Sequence, residues 1–355
     1  MPAAAQQDPT PRPSSQNHPR PPSLPSRHPG RPRPVRTALL VTGGLALALV
    51  AALGVFGGLP SGSGRPATDP SDRSGPSAVG PAVPSLPWPA QGQASVLVEG
   101  IGERGDLGTK GAQTPVPIAS VAKVMTAYVI LEDHPLRAGE AGPGIRVDEK
   151  AADTPLSGAE SAVPVVRGQQ LTERQALELM LIPSGNNIAR LLARWDAGSE
   201  KAFVEKMNRA ARALGMNHTT YTGASGYEST TTSTSADQLQ LARQVMRNEV
   251  FRSIVAQGSV EKPDGSGALP NTNTLLGTSG VIGIKTGSST PAGGALMWAA
   301  TGVDRGGNKR LILGVVLHQS PGVNAATGLY AALDASRTLI EGVQHWLSTT
   351  GPGPR

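Results

Sequence analysis

Ser120 and Lys123 stand three residues apart within residues 118–131, a stretch whose apolar spacing predicts a helix, so a hydroxyl and an amine share one face. A serine hydroxyl is a poor nucleophile until a neighbour takes its proton, and an amine can do that only when neutral. Lysine starts near pKa 10.4, so neutrality around pH 7 requires a fall of about 3 units, or roughly 4 kcal/mol at about 1.36 kcal/mol per unit. Burial or a second cation has to supply it. Ser184-Gly185-Asn186 follows Pro183 at a helix break, where a loop presents both side chains. Lys285-Thr286-Gly287 follows the apolar residues 281–284 and therefore falls on a strand edge. A lysine there that faces Lys123 would depress its proton affinity, and the same cation would grip a substrate carboxylate.

Positioning these groups requires a mixed fold. Residues 94–98, 295–301 and 310–318 read as strands, the last two joined by the turn-rich residues 302–309. Helical patterning fills the middle of the chain. Thr172 with Gln175 forms a capping box for a helix over 173–182, Pro183 stops it, and 187–195 resumes. Further helices are expected over 200–214 with a stop at Gly215, over 235–247 with Ser235 and Gln238 as cap, and over 325–347. Strands at both ends of this region flanking a helical middle predict an α+β fold: an antiparallel sheet closed by the two termini, flanked by helices, with an inserted helical lobe. No internal repeat is visible.

Composition bounds the rest. Of the net charge of +6, residues 1–36 hold about +5: Arg12, Arg20, Arg27, Arg31, Arg33 and Arg36 against Asp8. The basic balance thus belongs to a tail and gives no nucleic-acid-binding face. Residues 37–59 are 23 uncharged positions rich in Leu, Ala, Val and Gly. As a helix they span roughly 35 Å, enough to cross a bilayer. Arginines precede this segment and the next is Arg65, which predicts a cytoplasmic tail over 1–36, one transmembrane helix over 37–59 and an extracytoplasmic remainder. A cleaved signal peptide is the rival, although its apolar region is usually shorter, about 7 to 15 residues. Gly54 and Gly58 carry a helix-dimerisation spacing of little weight in so glycine-rich a span. Residues 60–91 read as a Pro/Ser/Gly tether, 92–348 as the folded domain and 349–355 as a disordered tail. The sequence contains no cysteine, which removes disulfides, thiolate chemistry and cysteine zinc sites together. The six histidines, His18, His28, His134, His218, His318 and His345, have no paired spacing, so no metal site is expected.

Each short motif alone is weak, because Ser-x-x-Lys and Lys-Thr-Gly recur by chance. Their order is specific: Ser-x-x-Lys at 120, Ser-x-Asn at 184 and Lys-Thr-Gly at 285 match the set of penicillin-binding proteins and serine β-lactamases. Over residues 94–340 the chain resembles the D-alanyl-D-alanine carboxypeptidases among the low-molecular-weight penicillin-binding proteins. The resemblance includes Ala119, Met125-Thr126, residues 181–186, Met207-Asn208, residues 214–216 and residues 283–287. It implies a β-lactamase/transpeptidase-like fold that cleaves peptidoglycan stem peptides ending in D-Ala-D-Ala through an acyl-enzyme. Position by position, it implies Ser120 as nucleophile, Lys123 as general base and Ser184 as proton relay to the leaving amine. Asn186 would hold the substrate amide, Lys285 and Thr286 its carboxylate, and the N–H groups of Ser120 and Ser288 the oxyanion, with Gly287 also in the substrate-binding set. No cofactor is implied, and β-lactams would be covalent inhibitors.

Two departures stand out. Asn187 occupies a position where the family often has Asp, and Ala224-Ser225-Gly226-Tyr227 replaces its usual Pro-x-Gly-Leu. Neither is expected to touch the chemistry. The chain also stops soon after the expected sheet, so the β-rich C-terminal domain and terminal amphipathic anchor of some relatives are expected to be missing, with the transmembrane segment replacing that anchor. Two other readings share the motifs. A class A β-lactamase adds a glutamate, and no clear Glu-x-x-Leu-Asn string follows Ser184. A non-catalytic wall-binding protein could use the fold alone, although intact Ser120, Lys123 and Lys285 argue against it.

Overall fold

The computed structural model describes residues 85–102, 105–156 and 160–351. The expected tail 1–36, the transmembrane helix 37–59, most of the tether and the last residues 352–355 lie outside them. Among the described residues no helix is long and apolar enough to cross a membrane.

Five strands form one sheet: β1 (Gln93–Val98), β2 (Asp106–Lys110), β3 (Val281–Ser289), β4 (Gly293–Val303) and β5 (Lys309–Gln319), in the order β2-β1-β5-β4-β3. Neighbours are antiparallel throughout. Gln93 pairs with Leu317 and Val98 with Ile312, so the first and last strands lie side by side as expected. The inner strands β1, β5 and β4 are buried on both faces, and the period-2 alternation of their side chains sorts them into two cores. In β4, Ala295, Met297 and Ala299 face one core while Leu296, Trp298 and Ala300 face the other. In β5, Leu313, Val315 and Leu317 go to the first and Ile312 and Val316 to the second.

The second core is covered by one long helix, α7 (Ala325–Thr349), which is capped by Asn324 and buries Leu339, Ile340, Val343 and Leu347. The packed region begins before the expected boundary at 92. Leu86 is buried and Trp88 packs beside it, because these two apolar side chains interrupt the prolines. It also runs past 348, since α7 continues to Thr349.

Between β2 and β3 the chain builds the helical lobe. After a 3-10 turn (Ala119–Ala122) come α1 (Lys123–Asp133), α2 (Glu173–Leu181), α3 (Asn186–Ala197), α4 (Glu200–Ala213), α5 (Ser235–Val245) and α6 (Glu249–Val255). The capping box at the start of α2 forms as predicted, with Thr172 accepting from the Gln175 N–H and Gln175 accepting from the Thr172 N–H. The expected Ser235/Gln238 cap is displaced by one residue: Thr234 is the cap and accepts from the Asp237 N–H, Ser235 being already helical. Helix α6, capped by Asn248, and the short ribbons Gly144–Arg146 with Gln170–Thr172 and Ser259–Glu261 with Ala268–Pro270 were not anticipated.

Candidate active site

Ser120 lies in the 3-10 turn that leads into α1, not within one continuous helix. Ala119 has a left-handed backbone, with φ of 46°, and the Val121 N–H reaches back to the Ile118 carbonyl, so the entry to the helix is wound tighter than an α-helix. The three-residue spacing still brings the pair together: Lys123 Nζ donates to Ser120 Oγ at 2.8 Å. Serine is partly exposed to the cleft, whereas lysine is fully buried.

Three groups hold the Lys123 amine. Besides Ser120, they are Asn186 Oδ1 at 2.5 Å and the Ser225 carbonyl at 2.8 Å. Burial drives the lysine well below its ordinary value, and the positive charges of Lys285 and Arg190 add to the effect, opposed by Glu160 and Glu228. The expectation of a lowered amine is therefore met by both predicted causes. Lys285 is itself buried, donates to the Thr286 carbonyl at 3.1 Å, and is brought down to about 7 by desolvation.

The three sequence motifs converge. Strand β3 runs past the 3-10 turn at a distance only glycine tolerates: a Cβ on Gly287 would lie 2.8 Å from the Ile118 carbonyl and 3.2 Å from the Ser120 nitrogen. Ser120, Asn186 and Ser288 line one cleft of about 730 Å³, together with Glu160, Tyr227 and Glu228. Thr286 Oγ1 is 2.6 Å from Thr272 Oγ1, a partner the sequence did not suggest. Ser184 sits in the strained connection between α2 and α3, with φ of 69°, and is buried. Its hydroxyl is not among the groups that hold the Lys123 amine.

Both departures from the family pattern acquire a physical role. Asn187 is buried, accepts from the Val163 N–H at 3.0 Å and donates to the Ala151 and Val163 carbonyls at 3.0 and 2.8 Å. The two donated bonds require an amide; an ionised carboxylate has none to give. The segment 224–227, expected to stand apart from the chemistry, touches it directly through the Ser225 carbonyl on Lys123. It is pinned by Thr126, which donates to the Ala224 carbonyl at 2.6 Å, and by Gly226, where a Cβ would lie 1.9 Å from the Ala119 carbonyl.

Glu160 and Arg190 were missed. Glu160 Oε2 accepts from Asn186 Nδ2 at 2.9 Å and Oε1 from Arg190 at 2.7 Å. Asn186 and Arg190 are four residues apart on α3, a spacing that places them on one face and was the available signal. Among the described residues no cluster of His, Cys, Asp or Glu could hold a metal ion.

A serine against a buried amine of lowered proton affinity, beside a second buried lysine and an open cleft, is equipped for acyl transfer to a hydroxyl. Known proteins resemble this chain in sequence and fold. Residues 91–320 match peptidase family S11, D-alanyl-D-alanine carboxypeptidase. A D-alanyl-D-alanine carboxypeptidase of Streptomyces sp. (strain K15) is 32% identical over 228 residues, covering 59% of this chain and 75% of that protein. A D-alanyl-D-alanine endopeptidase of Pseudomonas aeruginosa is 37% identical over 152 residues, but the match spans only 43% of this chain and 46% of the relative. The crystal structure of the Streptomyces K15 DD-transpeptidase superposes with a TM-score of 0.60 at 28% identity, covering 73% of this chain and 97% of the other. By fold, motif order and sequence, the chain belongs to the D-alanyl-D-alanine carboxypeptidase family of serine peptidases.

Proposed function

We propose that this chain is a serine D-Ala-D-Ala carboxypeptidase that trims peptidoglycan stem peptides, and that Ser120 and Lys123 carry the reaction. The observation that supports this reading best is the 2.8 Å contact between Ser120 Oγ and a lysine amine lowered by burial. The neutral Lys123 amine takes the Ser120 proton as Oγ bonds to the carbonyl carbon of the penultimate D-alanine. The N–H groups of Ser120 and Ser288 receive the resulting oxyanion, an arrangement in which one donor typically contributes about 2.7 to 4 kcal/mol. The C–N bond then breaks, the leaving amine gains its proton through Ser184, and water hydrolyses the ester to free Ser120. Asn186 holds the substrate amide, while Lys285 and Thr286 hold the terminal carboxylate. Binding a carboxylate favours the ammonium form of Lys285, which places its charge where the substrate needs it.

The relatives include an endopeptidase and a transpeptidase, activities that differ in the amine released or in the acceptor and not in the acyl-enzyme. Pentapeptide and cross-linked dimer substrates separate these outcomes. The mechanism itself is tested by intact mass after incubation with benzylpenicillin. A one-to-one adduct that disappears in Ser120→Ala is expected; no adduct on the native chain sinks the reading. Rapid turnover of the penicillin without an accumulating adduct identifies a β-lactamase instead.

The cellular placement proposed for this chemistry is a single-pass membrane anchor at residues 37–59, with the domain on the extracytoplasmic side. The run of uncharged residues preceded by arginines supports it. Recovery of the full chain in the soluble fraction of cells would count against it.

A further inference from the structure

The cleft contains a charged pair that the acyl-transfer scheme leaves unused. Glu160 and Arg190 meet at 2.7 Å with less than a fifth of each side chain exposed. Through them a hydrogen-bonded ring closes on the general base. Lys123 donates to Asn186 Oδ1, Asn186 Nδ2 donates to Glu160, and Arg190 donates to the other Glu160 oxygen. Arg190 also lies 3.5 Å from Ser225 Oγ, and the carbonyl of the same Ser225 accepts from Lys123. An amide turned by 180° would set its NH2 against the donating lysine and its oxygen against the carboxylate, a donor facing a donor and an acceptor facing an acceptor. The ring therefore admits one orientation of Asn186.

We propose that Glu160 and Arg190 form a positioning pair that locks the Asn186 amide and, through it, keeps the Lys123 amine aimed at Ser120 while balancing its charge. The inference rests on the assignment of Ser120 and Lys123 as nucleophile and base. Glu160 occupies one of the two amide protons of Asn186 and leaves the other for a substrate carbonyl. Because Arg190 neutralises it, the carboxylate can stand beside the base without holding a proton there. Burial opposes its ionisation, but the hydrogen bonds from Arg190 and Asn186 outweigh that and keep it below the usual carboxylate range. The charges around the Lys123 amine come from separate elements: Lys285 on β3, Arg190 on α3, Glu160 on the loop before α2, and Glu228 on the loop after α4. Two are cationic and two anionic, so removing one member of the pair tips the balance in a known direction.

The test is the pH dependence of benzylpenicillin acylation by the full chain, followed by mass, with the thermal midpoint recorded beside it. Only neutral Lys123 can take the serine proton, so the rate rises with pH through its titration. E160Q keeps an oxygen for Asn186 but deletes a negative charge, and its acid limb is expected at lower pH than in the native protein. R190Q deletes a positive charge, and its limb is expected at higher pH. E160A removes the acceptor altogether, and its plateau rate is expected to fall on the order of 10²-fold, the effect of misplacing a reacting group by about 1 Å. E160Q is expected to retain most of that rate. Limbs that do not move, or that move in the same direction, overturn the inference. So does E160A acylating at the native rate, and if E160A does not fold, the opposed limbs of E160Q and R190Q decide alone. Loss of the adduct's dependence on Ser120 would instead sink the underlying assignment.

Discussion

The same five strands carry two cores of opposite chemistry. Under α7, Leu296, Trp298, Val316, Leu339, Ile340 and Val343 pack with almost nothing to hydrogen-bond. On the lobe side, apolar residues such as Val121, Met125, Leu177 and Met297 surround the buried Lys123 and Lys285 and the amides of Asn186 and Asn187. Burying a Leu or Ile side chain contributes about 1.5 to 3 kcal/mol, whereas an uncompensated polar group costs about 1 to 3. Both sides supply stability by apolar burial, and the lobe side surrenders part of its own to hold two amines out of water. The difference teaches that the polar groups of the site lie against a sheet whose other face is anchored independently of them.

The largest effect is expected from Lys123→Met. Acylation should fall by about 10² to 10⁴, while the thermal midpoint moves less than it does on damage to the opposite face; a midpoint collapse would show that the site also supports the fold. Leu339→Ala should do the reverse. A loss of about 2 to 5 kcal/mol in urea unfolding is expected, with the acylation rate of the folded protein unchanged, and a slowed rate would couple the two cores.

Proton linkage sharpens the contrast without removing any contact. Lys285 titrates near 7 in the fold, and Lys123 is also lowered, mainly by burial, whereas an unfolded lysine titrates near 10.4. Between about pH 7 and 10 the unfolded chain therefore binds more protons, and stability should rise with pH across that window. Lys285→Met should flatten the rise, and a native curve that falls there contradicts the burial of both amines in the folded state.

The smallest effect concerns Glu173, a buried carboxyl of the lobe whose oxygens find no hydrogen-bond partner among the described residues and which burial raises to about 7. Its contribution is fully present below the unfolded value near 4.3 and is lost as pH rises through about 7. Glu173→Gln should stabilise by at most about 1 kcal/mol at pH 8 and not at pH 4; equal effects at both would place the strain in packing instead of charge.

The sequence was most legible where a local rule operates. The strand runs 295–301 and 310–318 with the turn-rich residues between them, the Thr172–Gln175 box and the three-residue step from Ser120 to Lys123 each depend on near neighbours in sequence, and each recurs in the structure. The convergence of the three motifs was legible only through their order along the chain. What stayed hidden depends on distant backbone: the Ser225 carbonyl reaches Lys123 across 102 residues, and no side-chain type announces a carbonyl. Glu160 was obscured in a different way. It lies in an irregular stretch with no period, and only its contacts with Asn186 and Arg190 give it a place. Strand β2, five residues with one buried position, had too little apolar pattern to be read.

The pairing of β1 with β5 sets a timetable for biosynthesis. Gln93 leaves the ribosome long before Leu317, its partner in register, exists. The hairpin of β4 and β5 can close locally, yet β1 must wait for nearly the whole domain to be translated, which makes the final closure a high-contact-order event. Until then the apolar strand can pair with β2 and pack against α5 while its β5 edge stays open, so a chaperone that shields residues 93–98 on the nascent polypeptide would have a long interval in which to act.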